Sequence, residues 1–135
     1  MRRQSQVVGV VAAGGVLGAE ARYGVDLLVP SADGIPWGTL AVNVSGCLVI
    51  GVLMVVLLEL TAPHRLLRPF LGIGVLGGFT TFSAYAVEVY ALLDDARVIV
   101  ALAYLAASPV LAIASCWAGA ALARTVINHR RGGHR

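Results

Sequence analysis

Four predominantly apolar stretches, at about residues 7–29, 39–60, 66–93 and 98–127, take up nearly the whole of this 135-residue chain. Each reaches or exceeds the roughly 20 residues that cross the hydrocarbon of a bilayer as a helix. Hydrophobic residues make up 59% of the sequence and charged residues 13%, a balance that one small soluble core could not hide. The chain is therefore read as an all-α membrane protein, with residues 1–135 forming a single domain of four transmembrane helices joined by short loops. Nothing is left over for a linker, a low-complexity segment or an internal repeat.

All ten basic residues are arginines, and they are unevenly placed. Arg2, Arg3, Arg65, Arg68, Arg124, Arg130, Arg131 and Arg135 fall on the side shared by both termini and the middle loop, while Arg22 and Arg97 fall opposite. The positive-inside rule then places both termini in the cytoplasm of a multi-pass cell-membrane protein. The tail "NHRRGGHR" is read as a topology anchor beside anionic lipid, with no nucleic-acid partner expected. The start "MRRQSQVVGVVAAGGVLGAEA" imitates a secretory signal, but apolar character resumes through "YGVDLLV" and completes a span, so the segment is expected to be retained.

Enzymatic chemistry finds no support. Cys47 and Cys116 sit inside the second and fourth stretches without CxxC spacing and read as small packing residues. His64, His129 and His134 occupy a loop and the tail. No metal cluster, nucleophile with its base or phosphate loop is assembled.

The third stretch is the informative one. As a continuous helix, 66–93 would run about 42 Å, against a hydrocarbon core of about 30 Å. Near its centre stands "GVLGGFTTFSAYAVE", in which Gly77-Gly78 lowers the cost of non-helical backbone and the β-branched pair Thr80-Thr81 has little preference for helix. Irregular backbone at membrane depth persists only where protein buries it or where it lines a wet or ion-containing site. A lone glycine pair would indicate close helix packing. Two glycines, two threonines and a serine, interleaved with Phe79 and Phe82 and followed by Tyr85, point instead to a site.

In the second stretch, "GTLAVNVSGCLVIG", Asn43 is the one strongly polar side chain between Thr39 and Leu58. Its NH₂ group suits an anion, and equally suits a hydrogen bond to a neighbouring helix. Ser45, Gly46 and Gly51 read as close-packing positions. In the fourth, Tyr104, Ser108 and Ser115 share a helix face, either as a polar stripe or as hydroxyls bonding back to their own carbonyls. Pro109 removes one backbone donor beside them. Glu20 and Arg22 lie toward the outer end of the first stretch, where Arg22 would enrich anions in a vestibule. Glu20, Glu59 and Glu88 are all read as lying toward segment ends, a poor setting for proton coupling.

Three segments together resemble one family. "GGFTTFSAY" resembles the helix-break signature of the Fluc (CrcB) fluoride channels, "GTLAVNVSG" their second-helix motif, and "GGVLGAEARY" their first-helix motif. The resemblance implies a dual-topology architecture: two four-helix subunits lying antiparallel, each third helix broken near its middle, with two narrow anion pathways and a structural sodium ion on the twofold axis. It implies that backbone carbonyls of Gly77 and Thr80 hold the sodium. It implies an anion pathway formed by Asn43, Phe82, Tyr85, Tyr104 and Ser108, in which Tyr85 stands where the family has a second phenylalanine and Ala112 ends the hydroxyl track early. Its function would be passive export of cytoplasmic fluoride, relieving toxicity. The arginine bias predicts one fixed orientation, so the inverted partner is expected to be a paralogue or, if dual insertion persists, a second copy.

Two rivals remain at the level of sequence. A proton-coupled exporter of cationic drugs would use Glu20, and a non-transporting assembly subunit would use its polar residues only to join helices.

Overall fold

The computed structural model describes residues 2–29, 31, 34–57 and 65–132. Their elements are α1 (Arg2–Leu28), α2 (Trp37–Val55), a π-helical segment (Pro69–Val75) that runs into α3 (Leu76–Phe79), α4 (Ser83–Asp94) and α5 (Val98–Gly132). These make four helical rods, the third being composite. Residues 58–60 of the expected second span, with Glu59, lie outside the described residues, as do His64 and His134.

Trp37–Val55, Pro69–Asp94 and Val98–His129 are long and apolar enough to cross a membrane. Three of the four expected spans therefore meet that measure among the described residues. Although α1 has 27 residues, Glu20, Arg22 and Asp26 dilute the hydropathy of its C-terminal part.

Two seams hold the rods together, and both depend on missing side chains. Along the first, α1 lies against the π-helical segment and α3. Gly14 and Gly18 of α1 face Gly74 and Gly78, so that two small-xxx-small stripes interlock. A Cβ on any of the four would come closer than 3.0 Å to backbone of the opposite element. Along the second seam α2 packs on α5, where Gly51 meets the Cys116 carbonyl and Gly119 meets the Leu48 carbonyl just as tightly. The cluster of Val55, Ala123 and Ile127 closes the end of that seam. Cys47 and Cys116 are free thiols, each half-buried.

The third rod changes partner along its length. Up to Phe79 it packs on α1, whereas α4 packs on α5, with Tyr85, Val89 and Leu92 joining Ala101 and Tyr104 in a buried cluster. Between the two parts Thr80 leaves helical geometry for an extended conformation (φ −75°, ψ 154°), and helix resumes at Ser83. Pro69 suits the beginning of the π-helical segment, where its missing N–H leaves no helical bond unmade.

The α4–α5 turn is a Schellman motif. Arg97 N–H donates to the Leu92 carbonyl and Ala96 N–H to that of Leu93, with Ala96 in the left-handed region at φ 58°. A Cβ is disfavoured there by roughly 1 kcal/mol. Ala96→Gly is therefore expected to stabilise the fold by about 1 kcal/mol in a reversible unfolding measurement in detergent. Gly18→Val should do the opposite, pushing α1 off the Val75 carbonyl. Its signature would be a lowered melting temperature or loss of the monodisperse species on size exclusion.

Candidate functional site

The interruption at Thr80–Phe82 breaks the run of helical hydrogen bonds, and the freed groups are taken up in a specific way. Thr80 N–H still donates to the Leu76 carbonyl at 3.0 Å, and the Thr80 hydroxyl donates to the same oxygen at 2.8 Å. One residue later the pattern ends. Thr81 N–H, which a continuous helix would give to Gly77, donates to Asn43 Oδ1 at 2.8 Å, while Asn43 Nδ2 donates back to the Thr81 carbonyl at 2.8 Å. A planar side-chain amide thus pairs with the broken backbone as a neighbouring strand would. Ala84 N–H, which would otherwise serve Thr80, donates to Thr81 Oγ1 at 3.2 Å, capping α4 from within the gap.

The carbonyls from Gly77 to Thr80 lose their helical donors as a result, those of Gly77 and Thr80 because Thr81 N–H and Ala84 N–H turn to side chains. Gly77 is exposed, and a Cβ there would meet nothing within 4 Å. On the other side Gly46 of α2 leaves room for the interruption: a Cβ at Gly46 would strike the Thr80 methyl and the Phe79 ring. These orphaned oxygens fit a hard cation such as sodium, which binds oxygen ligands and no sulfur or imidazole. Among the described residues no group of three or more His, Cys, Asp and Glu side chains forms an alternative metal centre.

Beside the interruption lies an open cleft of about 350 Å³, lined in part by Asn43, Thr80, Phe82, Tyr85, Ser108 and Ala112. Its lining carries no charged side chain. Phe82 stands 79% exposed at its edge, and the Tyr85 ring is 7% exposed. The ring centroids of Phe82 and Tyr85 are 5.6 Å apart at 53°, and those of Tyr85 and Tyr104 5.4 Å apart at 50°. Tilted rings at such spacings present edges, which carry partial positive charge. The Ser108 hydroxyl is buried without a hydrogen-bond partner, and of the two Asn43 amide hydrogens the bond to the Thr81 carbonyl engages only one.

The structure thus brings Asn43, Phe82, Tyr85 and Ser108 to one cleft and sets Tyr104 behind Tyr85. Arg22 is half-buried on α1 and is not among the lining residues. Several finer readings change. The hydroxyl that Tyr85 adds to the phenylalanine position donates to the Leu105 carbonyl at 2.7 Å and so faces away from an ion. Tyr104 O–H donates to Glu88 Oε2 at 2.8 Å, so a track of free hydroxyls does not begin there. Ser115 O–H is engaged by the carbonyls of Val44 (2.9 Å) and Ala112 (3.0 Å), which makes it a packing contact between α2 and α5.

Sequence reasoning missed the partners of Glu88. Glu88 lies toward the end of the third span, as expected, but it is half-buried and engaged. One oxygen accepts from Tyr104 and the other from the Thr39 hydroxyl. Thr39 and Asn43, one turn apart on α2, therefore grip α4 and the interruption from the same helix face.

Comparison with known proteins bears on what such a site does. The family described as "CrcB-like protein, Camphor Resistance (CrcB)" matches residues 9–120. A Streptomyces coelicolor protein named "Fluoride-specific ion channel FluC 1" is 53% identical over 131 residues, covering 96% of this chain and 85% of its own. "Fluoride-specific ion channel FluC 2" of Nocardia farcinica is 49% identical over 115 residues, covering 84% and 82%. "Fluoride-specific ion channel FluC" of Paracoccus denitrificans is 45% identical over 115 residues, covering 84% and 91%. With these relatives and three membrane-length apolar helices, the chain is a multi-pass membrane protein, and it belongs to the CrcB family.

Proposed function

We propose that this chain is the subunit of a passive, fluoride-selective channel that lets cytoplasmic fluoride leave the cell. The reading is carried by one observation: an uncharged cleft beside the interruption offers hydrogen-bond donors and aromatic ring edges to a ligand. Such a lining suits a small anion. Fluoride holds its water strongly, so a narrow pathway must replace that water with several close donors, here Asn43 Nδ2 and the Ser108 hydroxyl, together with the Phe82 and Tyr85 edges. The relatives named as fluoride-specific channels support the choice of ion. Tyr104 acts behind this wall, its ring against Tyr85, and Arg22 would attract anions toward a vestibule.

The cleft is open on one side, and Gly77 presents an orphaned carbonyl on an exposed surface. An inverted second subunit against that surface would complete both the third helix's broken face and the pathway wall. Sodium held by the Gly77 and Thr80 carbonyls would supply a fixed positive charge at the junction. The arginine distribution keeps both termini cytoplasmic in the favoured orientation and favours a paralogue of opposite orientation as partner. Fluoride efflux from liposomes containing this chain alone would instead identify the partner as a second copy.

Purified protein in liposomes is expected to release fluoride without a proton gradient and to release chloride far more slowly. Drug–proton exchange in its place would return the exporter reading, and the absence of any flux would return the assembly subunit. Phe82→Ile, which removes a ring edge while keeping apolar bulk, should lower fluoride efflux about tenfold, equivalent to about 1.4 kcal/mol in the barrier. Equal efflux by the two proteins would remove Phe82 from the pathway.

Asn43→Ala should be worse than a loss of one donor. It strands Thr81 N–H and C=O together, each at about 1–3 kcal/mol, so both flux and the folded fraction should fall. Exchange of sodium for a bulky organic cation during purification is expected to lower the melting temperature, with recovery when sodium returns. An unchanged melting curve argues against a structural sodium.

A further inference from the structure

Pro109 lies within α5, which continues through it without interruption. A proline has no N–H, so the carbonyl four residues earlier, that of Leu105, is left without its helical donor. The Tyr85 hydroxyl donates to that oxygen at 2.7 Å. Tyr85 is buried, its ring sits between those of Phe82 and Tyr104, and both Tyr85 and Pro109 line the cleft.

We propose that Tyr85 and Pro109 are one device: the proline strips the Leu105 carbonyl of its donor, the tyrosine hydroxyl replaces it, and the ring is thereby anchored at the cleft wall. Neither residue does the same work without the other. A phenylalanine at 85 leaves a part-buried carbonyl with no donor, whereas an ordinary residue at 109 supplies the helical N–H, which shares the oxygen with the tyrosine hydroxyl and loosens its hold. The anchor has a geometric effect that packing alone lacks. Held at its Cβ and at its hydroxyl, the Tyr85 ring has little freedom to wag, so its edge keeps a fixed distance from an ion passing Phe82. Pro109 is in this sense a positioning residue, acting on the pathway through Tyr85. The functional part of the inference rests on the fluoride-channel reading. The pairing itself rests only on the hydrogen bond and the proline.

A double-mutant cycle tests it, using Tyr85→Phe, Pro109→Ala and the two combined, each measured as fluoride efflux per folded protein in liposomes and as melting temperature in detergent. Tyr85→Phe should lower efflux per folded protein by roughly three- to tenfold, the size expected when one interior carbonyl loses its donor. Pro109→Ala should lower it less, and the combined variant should recover the melting temperature, because the Leu105 carbonyl regains a helical donor, but not the efflux, because its ring has no hydroxyl to anchor it. A merely structural role would shift melting temperature and leave efflux per folded protein unchanged, which overturns the positioning claim. Additive losses of melting temperature, with no recovery, overturn the pairing. Should the wild-type protein release no fluoride, the channel reading fails separately, and recovery or additivity in the melting temperatures still decides whether the pairing exists.

Discussion

The reciprocal hydrogen bonds between the Asn43 amide and the Thr81 backbone are the constraint on which the rest of the site depends. A helix interrupted among apolar neighbours must satisfy an N–H and a C=O that water would otherwise meet, and a group left bare there costs several kcal/mol. Asn43 offers one donor and one acceptor in a single plane, which matches both. With Thr81 N–H turned toward α2, and Ala84 N–H turned toward the Thr81 hydroxyl, the Gly77 and Thr80 carbonyls are released. The Asn43 side chain therefore both stabilises the interruption and frees the Gly77 oxygen.

The second helix works as a ruler for the third rod. Thr39, Asn43 and Gly46 follow one another at spacings of four and three residues, so they share a face. From one end to the other, that face holds Glu88, pairs with Thr81, and makes room for Thr80 and Phe79. The opposite side of α2 is engaged by α5, through Gly51 and the backbone near Leu48. Because the two partners are addressed by different residues, the rod that carries Phe82 and Tyr85 and the helix that carries Ser108 are set relative to one another by a single rigid element. This accounts for how residues from three parts of the chain reach one cleft.

Much of this was legible in the amino-acid sequence, and the reasons differ by feature. The helical rods follow from the lengths of the apolar runs, although α1 is more polar than its run suggested because Glu20, Arg22 and Asp26 fall within it. The place of the interruption follows from the local chemistry of Gly77, Gly78, Thr80 and Thr81. What they bond to does not, since the Asn43–Thr81 contact spans 38 residues and the packing of α2 on the third rod decides it. The same holds for the hydroxyls of Tyr85 and Tyr104, which single-residue reasoning left available and which the fold engages elsewhere. The partners of Glu88, the hydroxyls of Thr39 and Tyr104, are likewise set by the packing of α2 and α5 on α4.

The wide turn at Pro69–Val75 has its own consequence. A π-helical stretch bonds each N–H one residue further back than an α-helix does, so it stores extra chain in a short length. Tightening it to α geometry by removing a residue would rotate Arg68 and everything before it by about 100° relative to Phe79, while Gly78 kept its place against α1. The segment thus acts as a phase adjuster, setting the angle of the part of the rod before it, while Gly74 and Gly78 fix the part after it against α1.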